Sequence, residues 1–367
     1  MAHIGYYQNE FVARRGWLDD ATYADLVALC QFLPGPTSSQ IGFALGWKRA
    51  GWKGALAAWI GFTTPSVILM LTFAYGVKLA GNLEHAGWIQ GLKIAAVAVV
   101  AQAVRTMAAK LCPDRPRALI AIGAAVVLLL FPWQWSQLMV LLLGSGVGAI
   151  LYRKQPIGAV GSSFIHRRSN GLPWLAAFAA LLVLLPWLAK VWPVDAVVMA
   201  DGFFRAGSLV FGGGHVVLPF LEDATVGRGL MDHDTFLAGY GAAQALPGPL
   251  FSVAAYLGAL IRPGGIGGGL LAVVALYLPS LFLVFGTLPR WDRFRAAPRA
   301  RALLAGTNAA VVGLLGAALY SPIWTSAITG PERLALMLGA YGGLEFLKLP
   351  PWVVVLACAA VGGLAFR

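Results

Sequence analysis

Apolar runs close to the length of a bilayer span recur along almost the whole chain, at 54–77, 89–104, 119–131, 138–151, 172–192, 267–288, 302–320 and 352–366. About 20 such residues in a helix cross the hydrocarbon core, where backbone N–H and C=O groups must find partners within the protein. A chain built this way is expected to fold as an all-α integral membrane protein. Composition agrees: 59% of residues are hydrophobic and 11% charged, the latter about half the share usual in soluble domains. The formal net charge of +12 lies in short basic clusters between the runs, which reads as membrane topology and not as a nucleic-acid surface. Cys30, Cys112 and Cys358 stand apart from one another and from histidine, so no disulfide framework, metal site or cofactor is indicated. No charged n-region precedes an apolar leader, and the helices themselves are expected to target the chain.

Within this apolar frame the sequence repeats itself. Arg15-Gly16-Trp17-Leu18-Asp19 aligns with Arg228-Gly229-Leu230-Met231-Asp232, and Gln31-Phe32-Leu33-Pro34-Gly35-Pro36 with Gln244-Ala245-Leu246-Pro247-Gly248-Pro249. Ser39 falls on Ser252, Arg49 on Arg262, Pro65-Ser66 on Pro279-Ser280 after a small slip, and Lys93 on Asn308. His3 and Glu10 are spaced like His215 and Glu222. Two repeats, 1–152 and 196–367, are therefore expected, joined at 153–195 by a basic loop and one apolar helix. A helix-length segment at 195–214 leads into His215 and has no counterpart before His3, which favours a natural start upstream of Met1.

The basic clusters orient the halves. In the first half the dense loop holds Arg105, Lys110, Arg115 and Arg117; in the second it comes one helix earlier, at Arg290, Arg293, Arg295, Arg299 and Arg301. Lys48, Arg49 and Lys53, and the linker residues Arg153, Lys154, Arg167 and Arg168, fall on the same side. Placing every cluster in the cytoplasm requires the halves to be inverted. Inverted repeats with interrupted helices between them are the signature of secondary transporters, and about twelve membrane segments are expected, in an inner (plasma) membrane.

The two Leu-Pro-Gly-Pro segments supply the interruptions. Two prolines around a glycine end one helix and start another, and the freed backbone groups are tolerated in a membrane only when buried in protein or lining a wet cavity. Residues after the breaks, Thr37, Ser38, Ser39 and Ser252, can cap a new helix and offer hydroxyls to an anion. Gln31 and Gln244 precede them. The candidate anion site therefore comprises Gln31, Pro34, Gly35, Pro36, Thr37, Ser38, Ser39, Gln244, Pro247, Gly248, Pro249 and Ser252, with Lys93 and Asn308 as further lining groups. A plain structural kink is the competing reading. His3, Glu10, His215 and Glu222 are candidates for proton coupling or gating, against which stands their position in polar, interfacial sequence. Lys93 alternatively snorkels to the surface, and Asp201 and Arg205 neutralise each other at i and i+4. No nucleotide-binding, zinc-protease or hydrolase motif occurs, so ATP-driven transport by this chain alone is not expected.

The stretches "AHIGYYQNEFVARRGWLDDATYADLVALCQFLPGPTSSQIGFALGWKRAGWKGALAAWIGF" and "FGGGHVVLPFLEDATVGRGLMDHDTFLAGYGAAQALPGPLFSVAAYLGA" closely resemble the signature of the chromate ion transporter family in its two-domain form. The resemblance implies export of chromate, with sulfate or a related oxyanion as a second substrate, driven by the membrane potential or a proton gradient. A tetrahedral dianion needs several converging donors, which opposed helix termini provide; charge and shape alone do not separate chromate from sulfate. A passive anion channel on the same plan is the alternative, and a membrane-embedded reductase is disfavoured by the scattered cysteines. The lipid bilayer and the oxyanion are the expected partners, and a homodimer is compatible with the size.

Overall fold

The computed structural model describes residues 2–80, 87–131, 133, 136–152, 170–211, 214–246, 248–291 and 297–366. Arg153, Lys154, Arg167, Arg168, Pro247, Arg293 and Arg295 lie outside the described residues, as do the side chains of His3 and Arg290. The first half consists of α1 (Ala2–Gln8), a π-helical turn (Asn9–Arg14), α2 (Asp20–Phe32), α3 (Thr37–Ala80), α4 (Gly87–Leu111), α5 (Arg115–Leu130) and α6 (Ser136–Leu151). After α7 (Leu172–Val191) come α8 (Asp195–Leu209), α9 (Val217–Thr225), α10 (His233–Ala245), α11 (Val253–Leu260), α12 (Gly265–Thr287), α13 (Pro298–Ala318), α14 (Pro331–Glu345) and α15 (Pro351–Ala365). No strand occurs among the described residues. The leading helix expected over 195–214 is α8, which stops at Leu209.

Among the described residues five helices are long and apolar enough to cross a membrane: Thr37–Leu79, Gly87–Leu111, Leu172–Val191, Gly265–Thr287 and Pro298–Ala327. This differs from the expected twelve or so. The runs at 119–131, 138–151 and 352–366 form helices of 16, 16 and 15 residues, about 24 Å long at 1.5 Å per residue and shorter than the ~30 Å of hydrocarbon. Proline and glycine divide the apolar sequence into such pieces. The most apolar stretch of α7 has none of its residues buried in the protein, and Val183 on it is 72% exposed. Such a face is stable against lipid, whose tails are as apolar as the side chains. The chain is a multi-pass membrane protein.

Local geometry recurs between the halves at the sequence offset. Asp19 and Asp232 are both extended N-caps, and their carboxylates accept from Thr22 N and Thr235 N at 2.7 Å each. This fixes the starts of α2 and α10. The corner within α3, at Ala50 and Gly51, divides it into arms of 37–49 and 52–80; the corresponding corner separates α11 from α12.

Packing between the halves is reciprocal. Helix α15 of the second half lies along α4 of the first, while α6 and α5 of the first half lie along α13 of the second. Small residues permit both contacts: a Cβ on Gly91 of α4 would fall 2.0 Å from Cys358 O, and one on Gly306 of α13 would fall 1.9 Å from Gly144 O. Without a hydrophobic force between helices in lipid, such close backbone packing supplies much of the association. Gly306→Ala is therefore expected to lower the thermal stability of the purified protein, since the atom it meets is backbone. Gly316→Ala, on the same helix segment but with open space around it, should be neutral or stabilising by up to about 1 kcal/mol. Equal melting temperatures for the two variants would contradict this packing.

Candidate functional site

The first break begins where α2 ends. Pro34 biases Leu33 away from helix, and Leu33 is extended at φ −82°, ψ 145°. Gly35 sits at φ +127°, a conformation open to glycine, and its N–H donates to Val210 O, just past α8, at 2.6 Å. The carbonyls freed by the break are satisfied by side chains. Thr37 Oγ1 donates to Cys30 O at 3.5 Å and Gln40 Nε2 to Pro34 O at 2.7 Å. Gly35 also leaves no room for a side chain, because a Cβ would fall 2.0 Å from Ser280 Oγ and 2.7 Å from Gln40 Nε2.

The second break repeats this arrangement in reverse. Gly248 has φ +134°, and a Cβ there would fall 2.7 Å from Ser66 Oγ. Pro249 then leads into a 3-10 turn (Leu250–Ser252) and α11. Each break thus meets a serine of the other half, Ser280 beside Pro279 or Ser66 beside Pro65. The repeated Pro-Ser step was visible in sequence, but its place at the opposite break depends on tertiary structure.

At the first break, buried polar groups converge, and those among them that meet do so only with each other. Ser39 Oγ, Thr63 Oγ1, Tyr277 Oη, Ser280 Oγ, Gln40 Oε1 and Trp59 Nε1 make no hydrogen bond of ordinary geometry. Ser39, Thr63, Tyr277, Ser280 and Gln40 are each at most 3% exposed. They come from three segments: the start of α3, its second arm, and α12. The Tyr277 phenol faces the Ser39 and Thr63 hydroxyls, and its ring lies 5.6 Å from that of Trp59 and 5.5 Å from that of Phe251. Leaving one buried polar group unmatched costs about 1–3 kcal/mol, which makes this constellation the candidate binding site. Among the described residues of the second break, Gln244 Nε2 is the one such group, and Asn308 Oδ1 is likewise buried without a partner. Of the residues that line the first site, Gln40, Trp59, Thr63, Tyr277 and Ser280 went unassigned from sequence, because all except Gln40 lie inside long apolar runs.

Other predicted residues have different surroundings. Gln31 is exposed and Ser38 half-buried, while the Thr37 hydroxyl is used to satisfy Cys30 O. Pro247 lies outside the described residues. Lys93 neither snorkels nor lines the cluster at the first break: it is 2% exposed and its Nζ meets Asp234 Oδ1 at 2.7 Å. His215 and Glu222 are not paired with each other. His215 Nδ1 lies 3.0 Å from Tyr240 Oη, and Glu222 faces His233 Nδ1 at 3.3 Å. Glu10 is bonded to Arg15 at 2.6 Å and Arg14 at 3.1 Å, and hydrogen bonding to Arg15 first holds its carboxyl below the usual range. Asp201 does pair with Arg205, and Arg228 adds a second contact at 3.1 Å. A separate cavity of about 410 Å³, between Tyr7, Phe11, Trp17 and the glycine face of α3, is mainly apolar and contains none of the break residues.

The family model for chromate transporters matches residues 1–150 and 197–363, leaving out the linker. The chain belongs to the chromate transporter family. A chromate transport protein of Pseudomonas aeruginosa is 30% identical over 386 residues, spanning all of this chain and 88% of the relative. One from Cupriavidus metallidurans is 24% identical over 374 residues, again spanning the whole chain and 88% of the relative. An uncharacterized transporter of Bacillus subtilis, YwrB, matches 46% of this chain with 87% of its own length at 26% identity. No solved structure matches.

Proposed function

We propose that this chain exports chromate from the cytoplasm across the inner membrane as a secondary active transporter, with two inverted halves alternating around a site at the first break. The observation that carries this reading is the group of buried hydroxyls from Ser39, Thr63, Tyr277 and Ser280, which have no partner of ordinary geometry outside the group. Hydroxyl and N–H donors arriving from three segments suit a tetrahedral oxyanion. The opposite orientation of the halves is supported by the placing of the basic clusters, which sets both dense loops on the cytoplasmic side.

The driving force follows from charge. One elementary charge is worth about 2.3 kcal/mol per 100 mV, so an inside-negative potential favours departure of an anion without further fuel. Inside-out vesicles bearing the protein are expected to accumulate labelled chromate when a lumen-positive potential is imposed. Ser39→Ala and Tyr277→Phe should each lower the initial rate by about tenfold, the worth of one hydrogen bond to a charged group. Uptake no greater than in empty vesicles under every gradient defeats the proposal. A proton gradient imposed with the potential clamped at zero should also drive uptake, whereas flux that follows only the anion's electrochemical gradient, imposed potential included, points instead to a passive channel.

A further inference from the structure

The cavity beside the π-helical turn has a charged mouth and an apolar interior. It holds about 410 Å³, and Arg49 is the one charged residue in its lining. The Arg49 guanidinium lies 4.5 Å over the Trp17 ring, and that of Arg15 lies 5.3 Å from the same ring. Arg15 is bonded to Glu10 at 2.6 Å, whereas Arg49 has no carboxylate partner among the described residues. Away from the mouth the walls are Tyr7, Phe11, Phe62 and the glycine face of α3. A Cβ on Gly61 would meet nothing within 4 Å. The neighbours set the depth of the mouth. Trp52 is 58% exposed and Lys53 Nζ lies 5.8 Å from its ring, just past the Ala50–Gly51 corner. Aromatic and basic residues of this kind collect at headgroup level on the cytoplasmic side, so the apolar body of the cavity runs from the headgroups into hydrocarbon.

The repeat shows what a groove in this position holds. In the second half α8 lies along α12 and α9: a Cβ on Gly202 would fall 3.2 Å from Ala224 Cβ, and one on Gly207 would fall 2.1 Å from Leu276 O. By the sequence offset Ala224 corresponds to Phe11, and counting back from the Pro-Ser step Leu276 corresponds to Phe62. Both phenylalanines face the open cavity. A bare inorganic anion would match the mouth and leave the interior empty, and a neutral hydrocarbon would leave the guanidinium unmatched. We infer that this cavity binds one anionic phospholipid of the cytoplasmic leaflet, its phosphate on Arg49 and Arg15 and one acyl chain along the glycine face of α3. Guanidinium N–H groups pair with phosphate oxygens, basic residues at the membrane surface attract anionic lipids, and the volume is that of an ordinary ligand pocket. The chain of the lipid takes for the first half the place that α8 takes in the second. No residue of either break lines the cavity, so the inference stands apart from the transport reading.

The experiment uses the full chain purified in a neutral detergent, with phosphatidylglycerol, phosphatidylcholine of the same acyl chains, and inorganic phosphate as probes. Native mass spectrometry should show one phosphatidylglycerol retained about tenfold more tightly than phosphatidylcholine, as expected for one hydrogen bond to a charged group. The melting temperature should rise with phosphatidylglycerol and stay unchanged with phosphate. Arg49→Gln should abolish the preference between the two lipids, and Gly61→Phe, which fills the cavity, should abolish retention of both. Phosphate stabilising the protein as well as phosphatidylglycerol does, or Gly61→Phe retaining the lipid as the unaltered protein does, overturns the inference. A phosphatidylglycerol with a photoreactive group at its chain end should label peptides containing Tyr7, Phe11 or Phe62 in the unaltered protein, which keeps the matter decidable if a variant does not fold. Labelling confined to lipid-facing helices such as α7, or a polypeptide helix cross-linked in the groove in place of the lipid, overturns it as well.

Discussion

Gly35→Ala is expected to abolish chromate uptake in vesicles, and Gly248→Ala to reduce it severely. Two independent penalties act at each position. The backbone is at φ +127° in one and +134° in the other, where an L side chain is strained by about 1–3 kcal/mol. The added carbon must also enter space held by the opposite half, 2.0 Å from Ser280 Oγ at the first break and 2.7 Å from Ser66 Oγ at the second. The first break suffers more because Gln40 Nε2, which satisfies Pro34 O, is displaced as well. Loss of that bond returns an unmatched carbonyl to the interior. The steric part is separable from the strain. Ser280→Gly should partly restore the thermal stability of Gly35→Ala, and Ser66→Gly that of Gly248→Ala, while the exchanged combinations should not. Full transport by Gly35→Ala would show that the break tolerates a side chain and does not form the site.

Which parts of this arrangement were legible in sequence follows from how local their causes are. The breaks at Leu33 and Leu246, the Asp19 and Asp232 caps and the corner at Gly51 each depend on a few neighbouring residues, and proline, glycine and capping chemistry reveal them directly. The doubled Pro-Ser step was legible as a repeat, but its role was not. Ser280 lies more than two hundred positions from Gly35 in sequence, and its contact exists only because the halves pack reciprocally. Tyr277, inside "AVVALYLPSLFLVF", carries no local mark that separates a lining phenol from a core aromatic. The partners of His215 and Glu222 were equally illegible: matched spacing in two halves indicates a repeated segment, not contact, and the helices turn His215 toward Tyr240 and Glu222 toward His233.

The ion pair between Lys93 and Asp234 breaks the symmetry of the halves, and removing one member is expected to cost more than removing both. Lys93 is buried within α4, and its ammonium is bonded across the interface to the first turn of α10. Through the sequence offset, the corresponding positions in the opposite halves are Asn308 and Ala21, both uncharged. Asp234→Ala leaves the ammonium in apolar surroundings with no counter-ion, and loss of one partner from a buried pair costs about 3–5 kcal/mol. Because the Asp234 side chain is 35% exposed, the loss should fall toward the lower end of that range. Asp234→Ala should therefore recover from detergent extraction largely as unfolded or aggregated protein. Adding Lys93→Asn installs the residue types of the other half and removes the charge that needed a partner, so the double variant should regain most of the lost stability. The measurement is monodisperse protein by size-exclusion together with its melting temperature. A double variant no more stable than Asp234→Ala alone would mean that Asp234 holds α10 in place by some contact other than the one to Lys93.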